Sequence, residues 1–119
     1  MRIVNCDNTN KINREDGRTI WDLCEQELGF NVHDIKFIFV EHPPEFTEKL
    51  HYHKESFEIF YFIDDARYEI NGEAHDIKKG DLVIFEPNEV HGGLPTSNKV
   101  GLFIIQAPPI KGDKYFPEE

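Results

Sequence analysis

Three histidines and one glutamate have the residue types and spacing of a metal site: His51, His53, Glu58 and His91. His51 and His53 are two residues apart, so on an extended strand both imidazoles point to the same face. Glu58 begins a row of aromatic residues on one face of segment 57–63, where an ionised carboxylate is costly without a partner. A divalent cation held by imidazoles would be such a partner. We expect His91, which follows another strand, to complete the set.

This donor set suits catalysis as well as binding. Three neutral imidazoles and one carboxylate suit one divalent transition metal ion, namely Mn, Fe, Ni, Zn, Co or Cu. Such a set leaves coordination positions for water or substrate, which distinguishes a catalytic metal site from a structural one. Two alternatives stay open: the four residues are surface polar groups on strands, or the site binds metal only adventitiously.

Most of the chain has the pattern of short strands. Segments DIKFIFVE, FEIFYFI, DLVIF and VGLFIIQA are rich in β-branched and aromatic residues and lie between turn signals. FEIFYFI is apolar on both faces, which predicts a strand buried on both sides. The pair Asn71-Gly72 predicts a two-residue hairpin turn that places Tyr68 opposite His75. This succession of short strands predicts an all-β sandwich or barrel.

One segment, RTIWDLCEQELG, predicts a short N-terminal helix. Its apolar residues recur at helical spacing, and Thr19 and Gly29 are suitable caps. We therefore expect one domain over residues 1–119, with a barrel core at roughly 35–107 and an N-terminal arm and helix at 1–34.

Composition limits the classes of partner. The 119 residues include 13 basic and 23 acidic side chains, a formal net charge of -10, which argues against nucleic acid and against an anionic membrane. No signal-peptide pattern is visible, and no apolar run approaches the roughly 20 residues of a membrane helix. Cys6 and Cys24 are too few for a disulfide framework, so we expect reduced thiols. These features together predict a cytoplasmic protein.

The ligand spacing resembles that of the cupin superfamily, across two motifs. The first cupin motif contains His-x-His, three or four residues and then Glu, and this chain has HYH at 51–53, four residues and then Glu58. The second motif runs from a glycine through Pro-x-Gly to a histidine, and here Gly80 is followed by EPN at 86–88 and then by His91. One His-x-His alone would favour the surface alternative, whereas the second motif at its expected spacing favours a metal site. The resemblance covers roughly residues 35–107.

Several residues depart from the cupin pattern. Glu45 and Asp65 stand where the first motif has glycines, Glu86 and Asn88 replace the proline and glycine of the second, and Pro95 replaces its asparagine. Asn and Asp tolerate a positive φ better than other non-glycine residues. We therefore expect the departures to leave the fold intact, but they do not indicate a subfamily.

The resemblance implies a fold, a site and a range of functions. The fold would be a double-stranded β-helix (jelly-roll) barrel of six to eight strands, as in small single-domain cupins, with metal in its mouth held by His51, His53, Glu58 and His91. The function would be that of an oxygenase, isomerase or lyase acting on a small organic substrate, with Glu58 as anionic ligand or, if it leaves the metal, as catalytic base. The stretch from HYH at 51–53 to His91 and Gly92 also resembles the effector-binding domain of AraC-type regulators. This resemblance implies the alternative of a non-catalytic module that binds or senses a sugar or small acid. Small cupins usually dimerise, so a homodimer is expected.

Other polar residues have weaker assignments. His75 is expected to be solvated and His33 to lie in a loop. His42 is a candidate for supporting the metal ligands or contacting substrate, and Gln106 is a candidate polar group of the pocket. Four phenylalanines are expected in the core, some of them lining the pocket: Phe60, Phe62, Phe85 and Phe103.

Overall fold

A computed structural model describes residues 10–26 and 34–117, and within them every regular element is a strand. The strands are β1 (Asn10–Asn13), β2 (Thr19–Gln26), β3 (Ile35–His42), β4 (Phe57–Phe62), β5 (Ala66–Ile70), β6 (Glu73–Ile77), β7 (Leu82–Phe85), β8 (His91–Gly93) and β9 (Val100–Ala107). All pair antiparallel, in a six-stranded sheet of order β1-β2-β3-β9-β4-β7 and a three-stranded sheet of order β6-β5-β8. The all-β class and the jelly-roll barrel are confirmed.

The alternation of side chains along β4 shows how the core forms. Glu58, Phe60 and Phe62 face inward and are buried, as the sequence pattern predicts, whereas Phe57 and Tyr61 are 45% and 44% exposed. The prediction that this strand is buried on both faces is therefore wrong, because the second sheet covers only its inner face. The buried core consists of Ile20, Val40, Phe60, Phe62, Ala66, Tyr68, Ile77, Phe85, Val100, Leu102 and Ile104.

The predicted N-terminal helix is wrong for residues 19–26, which form strand β2. This strand pairs with β1 on one side and with β3 on the other, and its register shifts between Asp22 and Cys24. Two neighbouring strands bond the backbone along this segment, whereas an isolated helix of about two turns is marginal in water. Ile20 enters the core and Trp21 packs on Phe39 across the strands, with ring centroids 5.2 Å apart. The predicted cap Gly29 lies outside the described residues, as do Cys6 and the side chain of Cys24.

The Asn71-Gly72 hairpin is confirmed, with Tyr68 paired to His75.

Two other turns explain how the fold tolerates its departures from the cupin pattern. Glu45 and Asn88 have φ values of 62° and 72°. Both occupy positions where the family pattern has glycine, so the left-handed backbone is kept although glycine is not.

No helix among the described residues is long and apolar enough to cross a membrane.

Candidate metal centre

The segment that carries His51 and His53 lies against strand β8 and against the C-terminal segment. His51 and His91 exchange two backbone hydrogen bonds, of 3.0 and 2.9 Å, as a bridged antiparallel pair. Tyr52 exchanges two further backbone bonds, of 2.9 Å each, with Tyr115. Both imidazoles are buried, while the intervening Tyr52 stacks on Tyr115. The two-residue spacing thus places both imidazoles on the same side.

Glu58 reaches the centre from the six-stranded sheet. It sits on β4 opposite Phe85 of β7 and Gln106 of β9, so neighbouring strands flank it on both sides. The residue is only 8% exposed. A buried carboxylate in such a position needs compensation by cations or hydrogen bonds.

His91, at the start of β8, completes the group. Its ring stacks on that of Phe85 with centroids 4.0 Å apart and planes 14° apart, and the residue is 1% exposed. This packing holds the imidazole in one orientation. The structure therefore brings together all four residues that the sequence singles out, and one donor atom from each lies within 4.8 Å of the others.

The ring nitrogens of the three histidines have the same division of roles. The Nδ1 atom of His51 lies 2.9 Å from the carbonyl oxygen of Lys49, that of His91 lies 2.9 Å from the carbonyl oxygen of Glu89, and that of His53 contacts the carbonyl oxygen of Asp113. A carbonyl oxygen only accepts, so each Nδ1 carries the proton and donates it. In the neutral imidazole, Nε2 is then left with a free lone pair.

The Nε2 atoms of His53 and His91 lie beside Glu58. His53 Nε2 lies 2.7 Å and His91 Nε2 3.4 Å from Glu58 Oε1. All three atoms are buried and lack a well-aligned hydrogen-bond partner. Buried polar atoms are rarely left in this way. A metal ion would be a common partner for them, and ligand distances of about 2.1 Å place neighbouring donor atoms about 3 Å apart, close to the spacing seen here. The residues therefore fit a divalent transition metal ion.

The electrostatics of the group also favour a cation. Burial raises the pKa of Glu58, but the adjacent imidazoles of His53 and His91 outweigh burial and lower the pKa to about 2. Burial lowers the pKa of His53, but the carboxylate of Glu58 outweighs burial and the pKa is raised. For His51, burial dominates and lowers the pKa to about 3. Glu58 is thus held as an anion and His51 as a neutral imidazole, which are the forms that bind metal.

Asp113 supports the centre from the C-terminal segment, and the sequence carries no signal for this role. Its buried carboxylate accepts hydrogen bonds from the backbone N–H groups of Lys54, Glu55 and Ser56, at 2.8, 3.0 and 2.9 Å. Burial raises the pKa of Asp113, but these three bonds outweigh burial and lower it. Because its own carbonyl oxygen accepts from His53, one residue fixes both the turn after the HYH segment and the orientation of a candidate ligand.

A cavity of about 280 Å³ opens beside the four residues. Candidate ligands His51, His53 and Glu58 line it, with Gln106 as the sequence predicts. The other lining residues are apolar or charged: Arg14, Arg18, Ile20, Lys36, Ile38, Val40, Glu48, Phe60, Ile104 and Lys114. Phe60 confirms the expectation that an aromatic core residue also lines the pocket. The prediction that Phe103 lies in the core is wrong, because its side chain is on the outer face of the sheet. The charged residues have no signature in the sequence, because they come from four distant segments.

The remaining histidines lie elsewhere. His42 is buried against Phe46 and Tyr68 and is not among the described residues that line the cavity. Burial lowers its pKa to about 4. His75 is exposed in the hairpin, as predicted. His33 lies outside the described residues.

Comparisons with known proteins agree with the fold. The family model of the cupin domain matches residues 38–105. A predicted oxalate decarboxylase from Thermotoga maritima is 23% identical, with a TM-score of 0.73 over 88% of this chain and 97% of that one. KdgF from Halomonas sp. is 15% identical, with a TM-score of 0.74 over 95% and 97%. The polyketide cyclase RemF from Streptomyces resistomycificus is 14% identical, with a TM-score of 0.78 over 100% and 87%. Among curated proteins, no sequence matches this chain.

Proposed function

The chain belongs to the cupin domain family, and from this membership and the geometry of its donor atoms we propose that it is a metal-dependent enzyme acting on a small organic substrate. One observation carries the proposal. Three imidazoles each have Nδ1 bound to a backbone carbonyl oxygen, and each has a donor atom within 4.8 Å of the others and of one buried carboxylate, Nε2 in the case of His53 and His91. A purely structural packing of three histidines gives no reason for this shared division of roles.

In this proposal, His51, His53, Glu58 and His91 hold one divalent transition metal ion. The ion would supply a Lewis acid and an open coordination position for water, dioxygen or substrate. The three histidines bind as neutral imidazoles in fixed orientations. Glu58 compensates the charge, and as the acidic residue of the group it is the candidate to accept a proton from a bound substrate.

The walls of the cavity determine what reaches the centre. Ile20, Ile38, Val40, Phe60 and Ile104 form an apolar wall, while the charged residues occupy the remaining lining. Pockets of this composition bind small molecules by apolar contact and orient them with a few polar groups. Two structurally similar proteins, the predicted oxalate decarboxylase and the polyketide cyclase, carry enzyme names. Both are less than 25% identical to this chain, and their names are consistent with a catalytic role on this fold.

Metal analysis tests the ligand assignment. Protein purified without an affinity tag should contain close to one transition metal ion per chain. His51→Ala and His91→Ala should each lose it, whereas His75→Ala, at an exposed histidine of the hairpin, should retain it. Stoichiometric metal that persists in both ligand variants would overturn the assignment.

Turnover separates the enzyme from the alternative, a binding or sensor module. A panel of small organic acids and sugars, assayed for oxygen uptake and by mass spectrometry for product, should give metal-dependent conversion of at least one compound. Metal-free protein that binds a compound of this panel as tightly as the loaded protein does, with no conversion by either form, would favour the binding module.

The outer face of the six-stranded sheet supports a second proposal, that two copies of the chain form a homodimer. A shallow groove of about 300 Å³ on this face is lined only by apolar or aromatic side chains, namely Phe37, Ile59, Tyr61, Leu82, Phe103 and Ile105. Leu82 and the neighbouring Ile84 are more than half exposed. A second copy of the same face would cover them without placing a charge in the groove. Light scattering of the wild type should give the mass of a dimer, and Leu82→Glu should give the mass of a monomer. A wild type with the mass of a monomer would contradict the homodimer.

We propose a cytoplasmic location for the protein, on the basis of the composition alone. Fractionation of cells that express the untagged chain should recover it with cytoplasmic markers. Recovery in a secreted or periplasmic fraction would contradict the proposal.

A further inference from the structure

The lining of the cavity has the opposite charge balance from the chain as a whole. The chain carries a formal charge of -10. The cavity, however, is lined by four cationic side chains, Arg14, Arg18, Lys36 and Lys114, against the two carboxylates Glu48 and Glu58. A metal ion would add further positive charge. A cleft of one sign of charge attracts ligands of the opposite sign, even on a protein whose net charge would repel them.

We propose that this cavity binds a small organic anion, whose acidic group is held by Arg14 and Lys114 while another of its oxygen atoms faces the metal centre. The inference rests on the proposed function, because it names the substrate class of the same site. The acidic group is a carboxylate or a phosphate ester, since both accept charge-assisted hydrogen bonds from guanidinium and ammonium groups.

The internal ion pairs of the lining indicate which cations are available. Arg18 is already held between Asp16 and Glu48, with nitrogen to oxygen distances of 2.8 and 3.0 Å. These two carboxylates compensate the charge of Arg18, and Lys36 lies 3.9 Å from Asp22. Among the residues that the structure describes, no carboxylate lies within salt-bridge distance of Arg14 or Lys114. Arg14 and Lys114 are therefore the cations of the lining that no adjacent described carboxylate compensates.

Strand register links the cationic residues to the metal ligands. Lys36 of β3 pairs with Gln106 of β9, and Gln106 pairs with Glu58 of β4. Directly paired residues of an antiparallel sheet share a face, so an ammonium, an amide and the candidate ligand form one row across three strands. Lys114 follows Asp113, whose carbonyl oxygen holds His53. A ligand in the cavity would therefore lie among the candidate metal ligands, Gln106 and Lys114.

The volume limits the size of the ligand. A cavity of about 280 Å³ is at the lower end of the range for small-molecule sites. It suits a compact organic acid or a small phosphate ester and excludes a polymer that would have to enter the pocket as a whole. Its apolar wall favours a carbon skeleton over a bare inorganic ion.

Two matched pairs of probes test the inference. Succinate is compared with its neutral diamide, succinamide, and glycerol 3-phosphate with glycerol, by calorimetry on both metal-loaded and metal-free protein. At least one anion should bind about tenfold or more tightly than its neutral counterpart, and its affinity should fall with added salt. The anion that binds identifies the acidic group. Equal binding of both members in both pairs, or binding of none of the four compounds, would overturn the inference.

Variants locate the binding. Lys114→Met and Arg14→Gln keep much of each side chain, remove the charge and lie at exposed positions where folding is not at risk. Each variant should bind the anion about tenfold more weakly, while its metal content stays unchanged. Lys79→Met, which removes an exposed ammonium outside the cavity, is the matched control and should bind as the wild type does. Wild-type affinity in both cavity variants would overturn the inference.

The metal-free arm keeps the two proposals distinguishable. If the wild type fails to bind metal but metal-free protein still binds the anion in a manner that depends on Lys114, the proposed function fails and the anion site stands. If metal binds stoichiometrically but neither anion binds more tightly than its neutral counterpart, the anion site fails and the metal site stands.

Discussion

Replacement of Asp113 by alanine should weaken metal binding although Asp113 is not a metal ligand. The side chain accepts three backbone hydrogen bonds, from residues 54–56, and its carbonyl oxygen accepts from His53 Nδ1. Asp113→Ala removes the three side-chain bonds, so the turn and the C-terminal segment lose the contact that fixes their distance. The carbonyl oxygen then no longer holds His53 in one orientation and tautomer.

The magnitude follows from these bonds. Hydrogen bonds to a charged acceptor each contribute about 1.5 to 3 kcal/mol. Two of the three donor residues, Lys54 and Glu55, are exposed and can bond to water in the variant. We therefore expect about 2 to 4 kcal/mol less stability for Asp113→Ala, and about half of that for Asp113→Asn, which keeps one acceptor oxygen. Loss of a group that orients a metal-bound histidine typically costs about 10- to 100-fold in metal affinity.

Chelator competition with Zn²⁺ measures the affinity, and thermal unfolding measures the stability. Asp76→Ala is the matched control, since Asp76 is an exposed acid whose ion pair with Arg67, at 3.2 Å, is of the kind that contributes little. Asp113→Ala should have a dissociation constant at least about tenfold higher than that of Asp76→Ala. Equal zinc affinity in the two variants, with Asp113→Ala still folded, would show that Asp113 does not orient a metal ligand.

Three further predictions concern protonation and charge. Metal affinity measured by chelator competition should fall as pH drops, by about tenfold per pH unit below the raised pKa of His53, because a proton then occupies the lone pair that the metal needs; affinity unchanged down to pH 4 would contradict a histidine site. Between pH 6.5 and pH 4, the free energy of unfolding should fall by about 3 kcal/mol through His42 alone, because the unfolded chain protonates this imidazole near pH 6.5 and the folded chain only near pH 4. In denaturant titrations, His42→Phe should lack this part of the loss of stability. The same pH profile in the variant and the wild type would contradict the role of His42. Glu58→Gln keeps the shape but removes the anion, so the variant should fold and contain no stoichiometric metal, whereas full metal content would assign the charge compensation to another group.

The sequence predicts the centre of this molecule better than its periphery. His51, His53, Glu58 and His91 are identifiable because a two-residue spacing and a family pattern each constrain where their side chains point. The hairpin at Asn71-Gly72 is predictable because only a few residue types adopt the backbone of its turn. In both cases the information is local.

Errors arise where tertiary partners decide the outcome. Residues 19–26 have apolar residues at helical spacing, but strands β1 and β3 flank them and offer backbone hydrogen bonds on both sides. The segment 57–63 is apolar on both faces, yet only one face is covered. Neither fact can be obtained from the periodicity of a short segment, because it depends on which elements pack against it.

The supporting residues are hidden for a different reason. Asp113 lies 60 positions from His53, and the cations Arg14 and Lys114 come from segments far apart in the chain. A single acidic or basic residue in a loop has no pattern that distinguishes it from a solvated charge. These roles follow only from the register of the strands and the path of the C-terminal segment.

Anomalous diffraction from crystals of the untagged protein, recorded at the absorption edge of its metal, would locate the bound ion itself. We expect one peak per chain, about 2.0 to 2.2 Å from the Nε2 atoms of His51, His53 and His91 and from a carboxylate oxygen of Glu58. A peak bound through Nδ1, a peak elsewhere on the molecule, or no peak in protein soaked with zinc would contradict this ligand set.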